Sequence, residues 1–387
     1  MDYFFTEHQL MIRDLARRIA NEKVRPVAAD LDEKEEFPHD IVRVLAGADL
    51  FRVPMPPEYG GLGLGVTETC IVVEELARAC AGVAVTYAAG FLGSVPISLY
   101  GTEQQKAKYL PRVADGELAA FALTEADAGS DAGDIRTEAM RKGDSYIING
   151  TKQWITNGGE AGIYTVIALT DKSRGPRGAT ALIVEKGTPG FTFGKKERKM
   201  GIRASATCEL VFQDCSVPAA NVLGREGQGF ILTMKTLDRA RPGVAAQAVG
   251  LAECAIDLSV DYSRTRRQFG QPISSFQAVQ HMLADMATQT EAAKALLYAT
   301  CRLIDSGASD YAKEAAMCKL FASDVAMKVA TDAVQVFGGY GYMRDFPVEK
   351  LMRDAKIMQI YEGTNQIQRN VIAGALIKES ARAAKRG

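Results

Sequence analysis

The sequence predicts a multidomain α+β protein: a helical N-terminal domain over residues 1–120, a middle antiparallel β domain over 121–230 and a C-terminal helical bundle over 231–387. Three observations carry this reading. Apolar residues recur every three to four positions toward both ends of the chain, the period shortens to strand-like runs between them, and 387 residues exceed what one hydrophobic core usually organises.

In the first part, Leu10, Leu15 and Ile19, then Ile41, Val44 and Leu45, mark helical faces. Pro54-Met55-Pro56-Pro57-Glu58-Tyr59-Gly60-Gly61 breaks the pattern and predicts an ordered loop, followed by the glycine-rich Gly60–Gly65 as a flexible one and by further helix. In the middle part, Tyr146-Ile147-Ile148, 163–170, 179–184 and 208–212 read as strands. Asn149-Gly150 between apolar flanks predicts a hairpin turn, which favours antiparallel pairing over βαβ units. In the last part, Val279, Leu283, Met286, Thr290, Ala293, Leu297, Thr300 and Ile304 step by fours and threes until Ser306-Gly307 stops the run. After Asp310, expected as a cap, Met317, Phe321, Val325, Val329, Ala333 and Val336 form a second stripe, expected as core of an antiparallel bundle.

Composition excludes several function classes. Forty-six Lys and Arg against 47 Asp and Glu leave a net charge of -1, so no overall field draws the chain to nucleic acid or anionic lipid. The longest apolar segment, 83–99, is interrupted by glycines and a proline and reads as too short to span a bilayer. Seven cysteines without a Cys-x-x-Cys pair, and three scattered histidines, point away from a disulfide framework, a metal site and a Ser/His/Asp triad. No metal is expected. The opening Met1-Asp2-Tyr3-Phe4-Phe5-Thr6-Glu7 lacks the basic, then apolar, pattern of a targeting peptide. The expected location is therefore the cytoplasm, or an organelle matrix if a transit peptide has been removed. Gly60–Gly65 does not match the Gly-x-Gly-x-x-Gly register, and neither a P-loop nor a Gly-x-Ser-x-Gly elbow occurs.

Five clusters place polar or glycine-rich sequence beside apolar runs: Phe121-Ala122-Leu123-Thr124-Glu125-Ala126-Asp127-Ala128-Gly129-Ser130-Asp131; Trp154-Ile155-Thr156-Asn157-Gly158; Arg264-Thr265-Arg266-Arg267-Gln268-Phe269-Gly270; Gln335-Val336-Phe337-Gly338-Gly339-Tyr340-Gly341; and Tyr361-Glu362-Gly363-Thr364-Asn365-Gln366, led in by Leu351-Met352-Arg353-Asp354-Ala355-Lys356. Together, in this order and spacing over essentially the whole chain, they resemble the acyl-CoA dehydrogenase family. Ala126 replaces the proline usual in the first motif and Phe121 a frequent tyrosine, which implies a less rigid loop there.

The resemblance implies an N-terminal helical domain, a middle antiparallel β domain and a C-terminal four-helix bundle. It also implies a homotetrameric FAD enzyme that converts an acyl-CoA thioester to the trans-2-enoyl-CoA and passes electrons to an electron-transfer flavoprotein. Thr124, Trp154 and Thr156 are its expected isoalloxazine contacts. Arg266 and Phe269 are expected at the pyrophosphate and adenine end, across a subunit boundary, with Gln335, Gly338 and Gly339 completing that clamp. The FAD set extends to Phe121, Leu123, Gly129, Ser130, Ile155, Gln277, Thr364 and Gln366. Ser130, Asp238, Arg241, Tyr361 and Gly363 are expected on the substrate. Glu362 is the expected base for the thioester α-proton, because a desolvated carboxylate gains basicity. The stretch 85–95, aligned with the family's acyl-pocket helix, holds no charge. Tyr87, Phe91 and Leu92 are expected to limit its length while Ala88, Ala89 and Gly243 leave width, which suits short, branched or cyclic neutral acyl groups. The alternatives are an acyl-CoA oxidase, commonly a longer chain, and a non-catalytic FAD-containing relative with a binding role.

Overall fold

Thr6 starts the first helix with a reciprocal cap: its hydroxyl accepts from Gln9 N at 3.2 Å, and Gln9 Oε1 accepts from Thr6 N at 3.1 Å. The computed structural model describes residues 5–384, so Met1-Asp2-Tyr3-Phe4 of the opening segment lie outside the described residues. Six helices follow: α1 (Glu7–Ile19), α2 (Ala28–Lys34), α3 (His39–Gly47), α4 (Val66–Ala79), α5 (Ala81–Tyr100) and α6 (Glu103–Ala114). Between α3 and α4 the glycine-rich segment is pinned rather than loose, with Leu62 N on Arg52 O at 2.8 Å, Gly63 N on Met55 O at 2.8 Å and Leu64 N on Val53 O at 3.0 Å. By length and composition α5 could cross a membrane, contrary to the expectation for 83–99. Its most apolar window is instead 72% buried inside the protein. Gly93 explains the fit, since a Cβ there would stand 2.4 Å from Ala120 N, and Gly93 O accepts from Thr165 Oγ1 at 2.9 Å.

The strands are β1 (Ala119–Ala122), β2 (Glu138–Lys142), β3 (Ser145–Thr156), β4 (Ile163–Leu169), β5 (Ala179–Glu185), β6 (Phe191–Lys196), β7 (Thr207–Pro218) and β8 (Val222–Leu223). They form one sheet in the order β6-β7-β3-β2-β4-β5-β8, with β1 beside β4. Most pairs are antiparallel, but β1 runs parallel to β4 and β2 meets β4 in parallel at Glu138–Leu169, so the sheet is not purely antiparallel. Asn149-Gly150 is not a turn. It lies inside β3 at a bulge opposite Asp214, where Asn149 Oδ1 accepts from Asp214 N at 2.8 Å. The hairpin is made instead by Gly143-Asp144, with Lys142 paired to Ser145 and Gly143 at φ 62.

The chain then forms α7 (Gly229–Thr265), a short hairpin of β9 (Arg267–Gln268) and β10 (Gln271–Pro272), α8 (Gln277–Asp305), α9 (Ala312–Phe337), α10 (Val348–Met358) and α11 (Asn365–Ala383). Helices α7, α8, α9 and α11 build the bundle around α9, and α4 and α5 pack on α7. The α8 stripe is buried from Met286 to Ile304, but its first two positions, Val279 and Leu283, are only partly buried. In α9 the stripe fails at its start: Phe321 is 39% exposed and Met317 half-buried, while Cys318, Lys319, Ala322 and Ser323 face inward. The cap of α9 is Tyr311 rather than Asp310, without a side-chain bond.

Candidate active site

Helix α10 ends at Met358 and α11 is capped by Thr364, whose hydroxyl accepts from Ile367 N at 3.3 Å. In the loop between them Glu362 takes φ 58 and Gly363 φ 87. A left-handed glutamate costs about 1–2 kcal/mol, so the surroundings must hold it. They do so through the carbonyls. Gln368 Nε2 donates to Glu362 O at 3.1 Å and to Gly363 O at 2.9 Å, and Lys319 Nζ donates to Gly363 O at 2.9 Å and to Asn365 Oδ1 at 2.8 Å.

The Oε2 of Glu362 is buried without a hydrogen-bond partner among the described residues. Burial pushes its carboxyl up to about 7, while the charges of Arg241 and Lys319 pull it down. Arg241 is itself 3% exposed and paired with Asp238 at 2.7 Å. Glu362 lines a cavity of about 110 Å³ together with Tyr361, Thr156, Leu92, Gly243 and Gln247. Phe91, Ala88 and Ala89 also line it, whereas Tyr87 does not: it is fully buried and donates to Leu50 O at 2.8 Å. Asp238 and Arg241 stand behind the wall. Arg239 between them faces the cavity, so the cavity is not free of charge.

Above this wall β3 bulges again between Lys152 and Ile155, which sets Trp154 at φ 58 and leaves it 53% exposed. An aromatic side chain in that conformation is turned out of the sheet. The preceding residue, Gln153, donates its N–H to Thr124 O at 2.8 Å, which joins the Thr124 loop to the crest carrying Trp154 and Thr156. Below the crest Lys152 Nζ is buried against Glu125 Oε1 at 2.7 Å and Leu123 O at 2.9 Å, and Glu125 also accepts from Arg136 N at 2.6 Å and Thr137 N at 3.0 Å.

A second cavity, of about 460 Å³, is lined by Tyr262, Arg266, Phe337, Gly338, Gly339 and Tyr340. Arg266 lies over the Tyr340 ring at 5.2 Å. Tyr262 stacks on Phe337 at 4.0 Å. Gly338 has φ 61, and a Cβ added at either glycine would meet nothing within 4 Å, so bare backbone faces open space beside a guanidinium. That combination fits the diphosphate of a dinucleotide, and the exposed Trp154 with the Thr124 and Thr156 hydroxyls fits a flat ring with polar edges.

Of the expected FAD set, Thr156 lines the first cavity and Arg266, Gly338 and Gly339 line the second; the two cavities share no lining residue, and Thr124 and Trp154 line neither. Phe269, at φ 51 on the tip of the β9–β10 hairpin, is 92% exposed. Gln277, Gln335 and Gln366 are exposed and line neither cavity, and Gly129 and Ser130 lie on an exposed loop. Phe121, Leu123 and Ile155 are buried beneath the crest. Sequence reading missed Lys319, Gln247 and Arg239. Lys319 is hidden because a lysine on a helix is ordinarily solvated, and only its place among the inward-facing Ala315, Cys318 and Ala322 hints otherwise.

Comparison with known proteins agrees with this arrangement. Residues 6–117, 120–215 and 227–377 match the N-terminal, middle and C-terminal domains of acyl-CoA dehydrogenase. The structure is similar to butyryl-CoA dehydrogenase from Megasphaera elsdenii, with TM-score 0.95 and 48% identity over 97% of this chain and 100% of that one. It is equally similar to a chain solved in work on the electron transferring flavoprotein of Acidaminococcus fermentans, with TM-score 0.95 and 50% identity over 97% and 99%. An acyl-CoA dehydrogenase from Bacillus anthracis complexed with FAD superposes with TM-score 0.93 and 35% identity, over 99% of this chain and 69% of that one. The chain belongs to the acyl-CoA dehydrogenase family, FAD-dependent oxidoreductases acting on acyl-CoA thioesters.

Proposed function

We propose that this chain uses Glu362 to take the α-proton of a short, neutral acyl-CoA thioester, giving the trans-2-enoyl-CoA. The observation that carries the reading is the buried, unpartnered Oε2 of Glu362 on the wall of a small, mostly apolar cavity. With its carboxyl raised to about 7, Glu362 is a stronger base than a solvated carboxylate and still ionises near neutral pH, which suits it to taking a proton in a site that excludes water. Tyr361 and Gln247 shape the cavity beside it, and Thr156 offers a hydroxyl at its rim. When bound, FAD supplies the two-electron acceptor.

The Thr124, Trp154 and Thr156 crest would hold the ring end of FAD. Arg266, Gly338 and Gly339 of a neighbouring copy would hold its diphosphate; that sharing needs at least a dimer, and a homotetramer is the proposed assembly. Support comes from the separation of the two cavities within one protomer. An electron-transfer flavoprotein is the proposed partner, in line with the Acidaminococcus similarity. Ser130 on its exposed loop would meet the CoA arm. The three units are taken as 1–120, 121–230 and 231–387, and the location as cytoplasmic or, after transit-peptide removal, an organelle matrix.

The test is anaerobic mixing with butyryl-, isobutyryl-, octanoyl-, palmitoyl- and glutaryl-CoA while following flavin absorbance. Fast bleaching with the first two supports the reading. Bleaching by none of them, or fastest bleaching with palmitoyl- or glutaryl-CoA, overturns it.

A further inference from the structure

Lys319 is a buried ammonium group that the reading above does not use. It projects from α9 into the bundle with no exposed surface, and its hydrogen-bond acceptors are neutral: Gly363 O at 2.9 Å and Asn365 Oδ1 at 2.8 Å. Asn365 in turn is fixed by Ser323 Oγ at 2.9 Å and Asp324 Oδ1 at 2.7 Å, both on α9. The lysine therefore spans from the bundle core to the first residue after the base and to the first residue of α11. A lysine buried without a direct carboxylate partner is costly, and a shape-matched apolar residue would be less so. A group that costly, bonded to this loop, points to a role tied to what the loop carries.

Charged groups reach Lys319 from several sides. Glu362 faces it from the α10–α11 loop. Arg241, paired with Asp238, faces it from α7, and Asp324 from its own helix. Asp324 is held by Arg369 of α11 at 3.1 Å and by Gln359, just after α10, at 2.7 Å. Helix α8 brings the Cys301 thiol beside Cys318.

We propose that Lys319 is a positioning residue for Glu362: its bonds to Gly363 O and Asn365 Oδ1 hold the left-handed loop in place, and its positive charge favours the ionised form of the base. The proposal rests on the reading of Glu362 as base. Burial and Arg241 push the ammonium down to about 7, with Glu362 opposing, so the two groups stabilise each other's charged forms at neutral pH. Loss of the lysine charge removes one of the two cations facing Glu362 and raises the pH at which the base becomes ionised.

The experiment compares holoenzyme with Lys319→Gln, Lys319→Met and Lys319→Arg. It measures FAD content, thermal midpoint and the pH dependence of kcat/KM with butyryl-CoA. The two neutral variants are expected to keep FAD and to move the acid limb up by about one pH unit, a roughly tenfold loss below pH 7 that closes as pH rises. Lys319→Arg is expected to restore the wild-type limb. An unmoved limb in a neutral variant overturns the proposal whatever its absolute rate, because a purely structural loss lowers activity equally at every pH. Loss of FAD from both neutral variants would make Lys319 a fold element and also overturn it. Glu362→Gln separates the two readings. If that variant still reduces its flavin at near wild-type rate, the base assignment falls and this proposal with it; if it is inert while the neutral variants keep the wild-type limb, this proposal falls alone.

Discussion

Tyr361 donates its hydroxyl to Gln247 Oε1, and Gln247 Nε2 donates to Ala81 O at 2.8 Å, so the residue beside Glu362 is tied through α7 to the start of α5. Gln247 is 2% exposed and lies eight residues after the half-exposed Arg239 on the cavity face of α7. At 1.5 Å per residue the two are about 12 Å apart along the helix, so α7 lines the cavity over that length. Shortening the Gln247 side chain widens the cavity and should admit longer acyl chains. Gln247→Ala is expected to raise the octanoyl-to-butyryl ratio of kcat/KM about tenfold; an unchanged ratio would place the end of the acyl site elsewhere.

Glu362→Gln should keep its FAD and still perturb the flavin spectrum on binding butyryl-CoA, while reducing its flavin at least about a thousandfold more slowly. The amide has nearly the same shape and cannot take a proton. In the wild type the carboxyl must be ionised to act. With its value raised to about 7, kcat/KM should therefore climb as pH rises through 7 and level off above. A flat profile between pH 5.5 and 8 would contradict Glu362 as the base.

Arg266 stands over Tyr340 beside the bare backbone of Gly338 and Gly339. Removing a charge-assisted contact to a phosphate typically costs about 1.5–3 kcal/mol. Arg266→Ala should therefore weaken FAD retention by about ten- to a hundredfold, measured by equilibrium dialysis, and loosen the oligomer with it in size-exclusion chromatography. Wild-type flavin content and size would refute the assignment.

Lys152 and Glu125 form a buried pair in which Glu125 also holds two backbone N–H groups. Lys152→Met leaves that carboxylate without its cation, a change that typically costs about 3–5 kcal/mol. A clearly lower thermal midpoint is expected, together with weaker FAD retention, because the same pair joins the Thr124 loop to the Trp154 crest. Thermal unfolding with released-flavin fluorescence measures both.

By itself the sequence determined the helical ends, the β middle and the strands β3, β4, β5 and β7, because those follow from local periodicity: from Met286 to Ile304 the α8 stripe is buried as its spacing implies, although Val279 and Leu283 at its start are only partly buried. Glu362 was singled out through the company of its neighbouring motifs, and it lies on the cavity wall with its Oε2 buried. What the tertiary structure decided is what local patterns do not encode. Asn149-Gly150 has turn chemistry, yet Asp214 on the facing strand makes it a bulge, and the turn goes to Gly143. Phe321 looks like core and is partly exposed, while Lys319 looks solvated and is buried, because the inward side of α9 is set by α7, α8 and α11 together rather than by its own stripe. Asp238 and Arg241 were legible as a pair but not as a group acting from behind the wall while Arg239 faces the cavity. The basicity of Glu362 likewise depends on the packing that buries Oε2 and on two cations brought from α7 and α9, which lie 121 and 43 positions away in the chain and meet only when the bundle closes.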